Sequence, residues 1–205
     1  MLRYVSLCIF TFFSIFGLFA EPDKSPVLVL QGSVDKALDA LYAPENINKS
    51  TEAKRDLVRL AFEANYDLDI VIRRAIGRNW RRLSEDEQVE VLELIKQVVL
   101  KAYIDGMNGK AMPILAYGEV VEIASNRIEV PSTVEFDGRL VHLKYRLAQM
   151  QSGWQIYDLV AEEISLVSNY RQQFDAHFRR GTGSELIEKL KELLQREKLE
   201  PNTSL

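Results

Sequence analysis

Two histidines and two close acidic pairs are the residues that chemistry would use most readily. His142 falls between Val141 and Leu143, at an outward position of a strand-like alternation, and His177 lies beside Arg179 and Arg180 in a helical stretch. Neither has a carboxylate or a second histidine at the spacing a metal site needs. Asp67/Asp69 and Glu162/Glu163 are pairs that acid–base chemistry could use. However, Asp67 and Asp69 stand where a helix begins, and Glu162/Glu163 lie between a strand end and a helix, so capping and macrodipole roles account for both pairs. The sequence has no phosphate-binding glycine loop, no nucleophile elbow and no dinucleotide fingerprint. From the residues alone, no catalytic group, no metal ligand set and no cofactor is expected.

Arg73, Arg74, Arg78, Arg81 and Arg82 place five guanidinium groups within ten residues. One reading is a positive patch for phosphate or an acidic partner. The other is a solvated helix face neutralised by Glu85, Asp86 and Glu87. Trp80 and Trp154 read as core or pocket-rim residues.

These residues sit in a chain of 205 residues with 26 Lys+Arg against 30 Asp+Glu, a net charge of -4. Apolar residues make up 47%, enough for a core, which excludes disorder as the overall state. The single cysteine excludes a disulfide scaffold. The acidic balance argues against a nucleic-acid binder.

Met1 to Ala20 reads as a secretory signal peptide. Arg3 is the basic start, Val5 to Phe19 is an uncharged apolar run, and Leu18-Phe19-Ala20 precedes Glu21-Pro22. Cys8 lies inside that run. The mature chain would then lack cysteine and carry 25 basic against 30 acidic residues, a net charge of -5. That pattern suits the periplasm of a Gram-negative bacterium and excludes thiol catalysis, and a monomer is expected. Residues 21–198 are expected to form one domain, and 199–205 a fraying tail.

Apolar spacing of three and four predicts helices over Val27 to Tyr42, after Ser50/Thr51, and after Asp67 as far as Gly77. Ser84-Glu85-Asp86-Glu87 is a capping box that opens a long helix to about Asp105. Its apolar residues fall on two adjacent faces, so it should pack on both sides. From Ala116 the period becomes two. Asp137-Gly138 and Ser152-Gly153 mark hairpin turns, which gives about four antiparallel strands. Pro131 implies an edge or a bulge. Helical spacing returns from Ile164 to Phe174 and from Ser184 to Lys198. The expected class is α+β, with helices on one face of a roughly four-stranded antiparallel sheet.

Tyr66-Asp67-Leu68-Asp69-Ile70-Val71-Ile72-Arg73-Arg74-Ala75-Ile76-Gly77-Arg78-Asn79-Trp80 resembles the signature segment of the MlaC family of periplasmic phospholipid-binding proteins, also called the toluene-tolerance family. Trp154 to Leu159 and Ile164 to Phe174 resemble two further motifs of that family, in the same order and spacing. Glu163 departs from the pattern, which usually carries glycine there. The resemblance implies a soluble, non-enzymatic lipid carrier with an apolar cavity between its helices and its sheet. Its partners would be a phospholipid ligand, an inner-membrane ABC transporter bearing an MCE-domain protein, and an outer-membrane lipoprotein–porin complex, and its role would be outer-membrane lipid asymmetry. A hopanoid-associated branch makes a terpenoid lipid the alternative cargo.

Under that reading the lining should come from inward strand positions Val121, Ile128, Val130, Val134, Val141, Leu143, Tyr145 and Ile156, joined by Ile95, Val98, Val99 and Tyr103 of the long helix. The head group or a partner would meet Arg73, Arg74, Arg78 and Arg81. Two other classes stay open. A small enzyme on an NTF2-like cone would need His142 facing inward beside an aspartate. A protein-binding adaptor would show a filled core and a large exposed apolar patch.

Overall fold

A computed structural model describes residues 25–199. The expected signal peptide and residues 200–205 lie outside that span. In chain order the elements are α1 (Pro26–Tyr42), α2 (Thr51–Glu63), α3 (Leu68–Ile76), a 3-10 turn (Gly77–Arg82) and α4 (Glu85–Met107). The strands β1 (Ile114–Tyr117), β2 (Val121–Ala124), β3 (Arg127–Phe136), β4 (Arg139–Met150), β5 (Gly153–Ala161) and β6 (Ile164–Ser165) follow, then α5 (Leu166–His177) and α6 (Gly183–Gln195).

Local chemistry explains most boundaries. Ser50 Oγ accepts from the Ala53 N–H, and an Asp67 carboxylate oxygen accepts from the Asp69 N–H. The Ser84/Glu87 capping box is complete, and a second one, Thr182/Glu185, opens α6. Gly77 ends α3 with a positive φ of 61°.

The class is α+β, as expected, but the antiparallel sheet has six strands rather than four. Their order is β1-β3-β4-β5-β6, with β2 also paired to β3. β1 and β2 occupy successive lengths of one edge of β3: Ile114–Tyr117 lie opposite Ser132–Glu135, and Val121–Ala124 opposite Arg127–Glu129. Pro131 sits between those two lengths, where its C=O accepts the Gly118 N–H at 2.8 Å. Its missing N–H would point to the same gap, so the proline costs no ladder bond. The β3–β4 hairpin turns at Asp137-Gly138, both with positive φ, as a type I′ turn requires.

The β5–β6 hairpin turns on Glu162 and Glu163, with φ of 46° and 64°. This is the left-handed region that glycine occupies without penalty. Glu163 thus holds a backbone conformation that suits glycine. Glu163 takes the Lys144 ammonium at 2.6 Å. The helix expected from Ile164 begins two residues later. Asp158 accepts from Ser165 Oγ and from the Val167 N–H, which holds Ile164–Ser165 against β5 and starts α5 at Leu166.

Three apolar clusters fill the body. The first joins α3, α4, α5 and α6 through Ile76, Leu92, Phe174 and Leu190. The second joins α1, α2 and α4 through Ala37, Val58, Leu100 and Ile104. The third packs Leu30, Val34 and Leu38 of α1 against Ile128, Val130 and Leu147 of the sheet. α4 does pack on two sides, but its N-terminal half joins one cluster and its C-terminal half the other. Val89 and Val99, expected on its first face, are 71% and 52% exposed. Leu199, read as tail from sequence, is buried, and its N–H donates to Asp105 at 2.9 Å beside the Lys101–Asp105 ion pair. The packed body thus extends through Leu199.

Candidate functional site

The sheet has one inward, apolar face. Register places Leu115 opposite Val134, Val130 opposite Tyr145, Ile128 opposite Leu147, Val134 opposite Val141, and Leu147 opposite Ile156. A bulge between Arg146 and Leu147 lets Ile156 and Trp154 join this face despite the change of phase along β5. α1 covers the end around Ile128, Val130 and Leu147. Towards the β3–β4 hairpin, Val134, Val141 and Leu143 are only half-buried.

Of the residues expected to line a cavity, Ile128, Val130, Tyr145 and Ile156 come together under α1. Ile95 and Val98 belong instead to the α3–α6 cluster, and Tyr103 to the α1–α2–α4 cluster. Val99 faces outward, and Val121 is 49% exposed on the edge strand β2. Periodicity along one element cannot reveal that β2 has a neighbour on one side only. Residues outside the expected lining that join this cluster are Leu115, Tyr117, Leu147 and Trp154 on the sheet, and Leu30, Val34, Tyr42, Tyr66 and Met107 across from it. The alternation Leu115–Tyr117 was the signal available for β1. A hollow of about 280 Å³ lies elsewhere, between α1 and α2 near Lys36, Asp39, Leu57 and Leu60. It is smaller than pockets that bury a small ligand, about 300–1,000 Å³.

Tyrosines converge on the inward face from different elements: Tyr42 ends α1, Tyr66 connects α2 to α3, Tyr117 is on β1 and Tyr145 on β4, while Tyr103 of α4 packs in the neighbouring α1–α2–α4 cluster. Tyr42 points its hydroxyl at the carbonyls of Met107 and Ala111, at 3.5 and 3.3 Å. The hydroxyls of Tyr66 and Tyr117 are shut off from solvent and have no hydrogen-bond partner. A buried unpaired hydroxyl costs about 1–3 kcal/mol, so two of them need an explanation. Burial pushes the Tyr145 phenol up to about 12, and raises those of Tyr66, Tyr103 and Tyr117 further. In each of these three an ionised Tyr145 would add to the rise. At neutral pH all four are protonated donors.

The signature segments hold this arrangement from outside. Gln155, buried in β5, accepts the Asp67 N–H at 2.7 Å and donates to the Asn65 carbonyl at 3.4 Å. Asn65 in turn donates to the buried Ser33 hydroxyl of α1 at 3.0 Å. Arg171 of α5 donates to the Arg74 carbonyl, with Nε at 3.1 Å. Asn79 donates to Asp175 at 2.7 Å, and hydrogen bonding from Asn79, reinforced by the Arg78 charge, holds the Asp175 carboxyl below its usual range. On the outward face Arg146 bridges Glu129 and Asp158, at 3.0 and 3.3 Å.

The arginines expected at a head group or partner are mostly engaged locally. Arg73 lies over the Trp80 ring at 5.2 Å and 3.6 Å from Asp69. Arg74 lies over Tyr157 at 4.9 Å, and Arg78 is 3.4 Å from Asp175. Arg81 is exposed. Cation–π and ion-pair contacts of this kind fix a surface, and none of the four joins the apolar cluster under α1.

His142 is exposed, opposite Thr133 on the outward face. Its backbone N–H donates to Glu162 at 2.7 Å. His177 is tied to the Thr182 carbonyl at 2.9 Å and stacks edge-on against Phe178. The inward-facing His–Asp dyad of an NTF2-like enzyme is therefore not formed by His142. Among the described residues, no group of three or more His, Cys, Asp or Glu could hold a metal ion, and no helix is long and apolar enough to cross a membrane.

An apolar sheet face roofed by a helix, with polar groups held at its margin, defines an α+β protein. The family model described as MlaC protein matches residues 31–192, and the chain belongs to the MlaC family. In three dimensions it is similar to a phospholipid-binding protein from Ralstonia solanacearum whose structure was solved in complex with a phospholipid. The two share 24% identity, with a TM-score of 0.71 over 82% of this chain and 95% of that one. At that identity the likeness is one of fold. No curated protein matches this chain.

Proposed function

We propose that this protein is a periplasmic carrier that holds phospholipid acyl chains between α1 and the inward face of the sheet. It would move them between the outer and inner membranes and so maintain outer-membrane lipid asymmetry. The observation that carries the reading is the continuous apolar face from Leu115 and Val134 to Ile156, only partly covered by α1. Family membership and the phospholipid in the Ralstonia protein support it. The energetics fit. Two acyl chains expose roughly thirty methylenes, each worth about 0.8 kcal/mol in water, so a carrier must hide on the order of 25 kcal/mol of apolar exposure. Apolar surface does that without a catalytic group.

In this reading the lining is Ile128, Val130, Val134, Val141, Leu143, Tyr145 and Ile156, joined by Leu115, Leu147 and Trp154. The partners are an inner-membrane ABC transporter with an MCE-domain protein and an outer-membrane lipoprotein–porin complex. A hopanoid or other terpenoid lipid is the alternative cargo for the same surface.

Native mass spectrometry of the protein purified from bacteria without detergent tests the reading. A stoichiometric adduct of phospholipid mass is expected. A bare mass, with no uptake from phospholipid vesicles, would overturn it.

One observation favours a second reading, a protein-binding adaptor. Met112, Ile114, Val120, Val121 and Ile123 are large exposed apolar residues gathered along the β1–β2 edge. The same experiment separates the two, because an adaptor takes up no lipid.

A further inference from the structure

Tyr66 is 4% exposed, and its hydroxyl has no partner. This is not the result of a loosely placed ring. The Tyr66 N–H donates to Phe62 at 2.9 Å, Asn65 beside it is tied to Ser33, and Asp67 after it is tied to Gln155. The hydroxyl is thus carried into the α1–sheet cluster by a segment fixed on both sides. Tyr117 brings a second unpartnered hydroxyl to the same cluster from β1, across from the buried Ser132. Tyr145 stands between them on β4, close enough that its charge would raise both phenols.

A protonated phenol offers one donor, so what fits here is an oxygen acceptor. That acceptor is uncharged. The one cationic residue buried as a whole among the described residues, Lys101, is committed to Asp105 and the Glu197 carbonyl. The charge of Asp35 also bears on the Tyr117 hydroxyl and would oppose a phosphate. A phosphate without a counter-charge would not be desolvated here.

Resting on the carrier reading above, we propose that the Tyr66 and Tyr117 hydroxyls form a polar subsite within the apolar interior that donates hydrogen bonds to the ester carbonyls of a diacyl glycerolipid. The subsite fixes how deep the glycerol backbone sits, with the acyl chains on the apolar face and the charged head group outside. It also gives the protein a means of distinguishing ester-linked lipids from apolar molecules of similar bulk, because a site built to donate loses a bond with a ligand that cannot accept.

The test is competition between diacyl phosphatidylglycerol and its dialkyl ether analogue, which lacks both carbonyl oxygens. They are offered in equal amounts in mixed vesicles, and the two adducts are counted by native mass spectrometry. Wild-type protein should favour the ester by about tenfold, the worth of one net hydrogen bond. The Tyr66→Phe/Tyr117→Phe protein should load both lipids equally, and Tyr170→Phe, in the helical cluster, should keep the wild-type ratio. Equal loading by wild type would overturn the subsite whatever the variants do, and so would an ester preference that survives in the double variant. If wild type takes up neither lipid, the carrier reading falls and the subsite with it, an outcome distinct from equal loading.

Discussion

Gln155 accepts the backbone N–H of Asp67 at 2.7 Å, joining two segments 88 residues apart in the chain. The two segments are those that resemble family signatures, and the contact places their role in the frame. One supplies the N-cap of α3, the other an interior strand, and the bond sets where Tyr66 stands between them. Gln155→Ala leaves the Asp67 N–H and the Asn65 carbonyl without this partner. Equilibrium urea unfolding should show a loss of about 2 kcal/mol, within the range for an unpaired buried group. A loss below about 0.5 kcal/mol, the level of an ordinary surface change, would contradict this role.

Arg146 lies on the outward face between Glu129 and Asp158, each directly opposite it in the strand register. Arg146→Met keeps the stem but leaves two largely buried carboxylates without a cation. The expected cost is about 3 kcal/mol, as for other broken buried pairs, measured as a shift of the urea midpoint. Near-neutral behaviour would mean that the triad is solvated and structurally idle.

The raised phenols make the fold sensitive to alkali. An unfolded tyrosine ionises near 10, whereas Tyr145 in the folded protein is pushed up to about 12 by burial. Between those values the unfolded chain has lost the proton and the folded one has kept it, so stability falls as pH rises. Below pH 10 the contribution is constant. Tyrosinate absorbance should therefore include a late component that rises together with loss of secondary structure. A single simple titration near 10 with the fold intact would contradict this.

The helix starts and hairpins were legible in the sequence because their causes are local. Ser50, Asp67 and Ser84 cap within their own first turn, and Asp137-Gly138 carries its own backbone preference. What could not be read depends on distant partners. Helical spacing at Ile164 is overridden because Asp158 captures Ser165 and Val167. Val121 alternates like an inward residue but sits on an edge strand. Ile95 and Val98 are expected at the lining but pack in the helical cluster, because the halves of α4 diverge to different clusters. The arginine cluster is plain in the sequence, but its distant partners Tyr157 and Asp175 are set by β5 and α5.

Glu163 holds a φ of 64° at the second position of the β5–β6 turn. Glu163→Gly should relieve that conformation and give up only an exposed ion pair with Lys144. The melting temperature should rise by a few degrees in a thermal scan. A fall would show that the Lys144 contact outweighs the backbone term.

Tyr66→Phe removes a buried oxygen that has no partner in the lipid-free protein. Its unfolding free energy without lipid should increase by about 1 kcal/mol, in the direction opposite to its effect on ester preference. A loss of stability would mean that the hydroxyl is satisfied.

The central claim is that acyl chains lie against the sheet under α1, and the two tryptophans report on it separately. Trp154 packs in the α1–sheet cluster and Trp80 in the helical cluster. Each can be observed alone in Trp80→Phe and Trp154→Phe proteins loaded with a phospholipid brominated along its acyl chains, because bromine quenches indole emission on close approach. The account predicts strong quenching of Trp154 and little of Trp80. Equal quenching of both, or none at Trp154 in protein shown to be loaded, would contradict it.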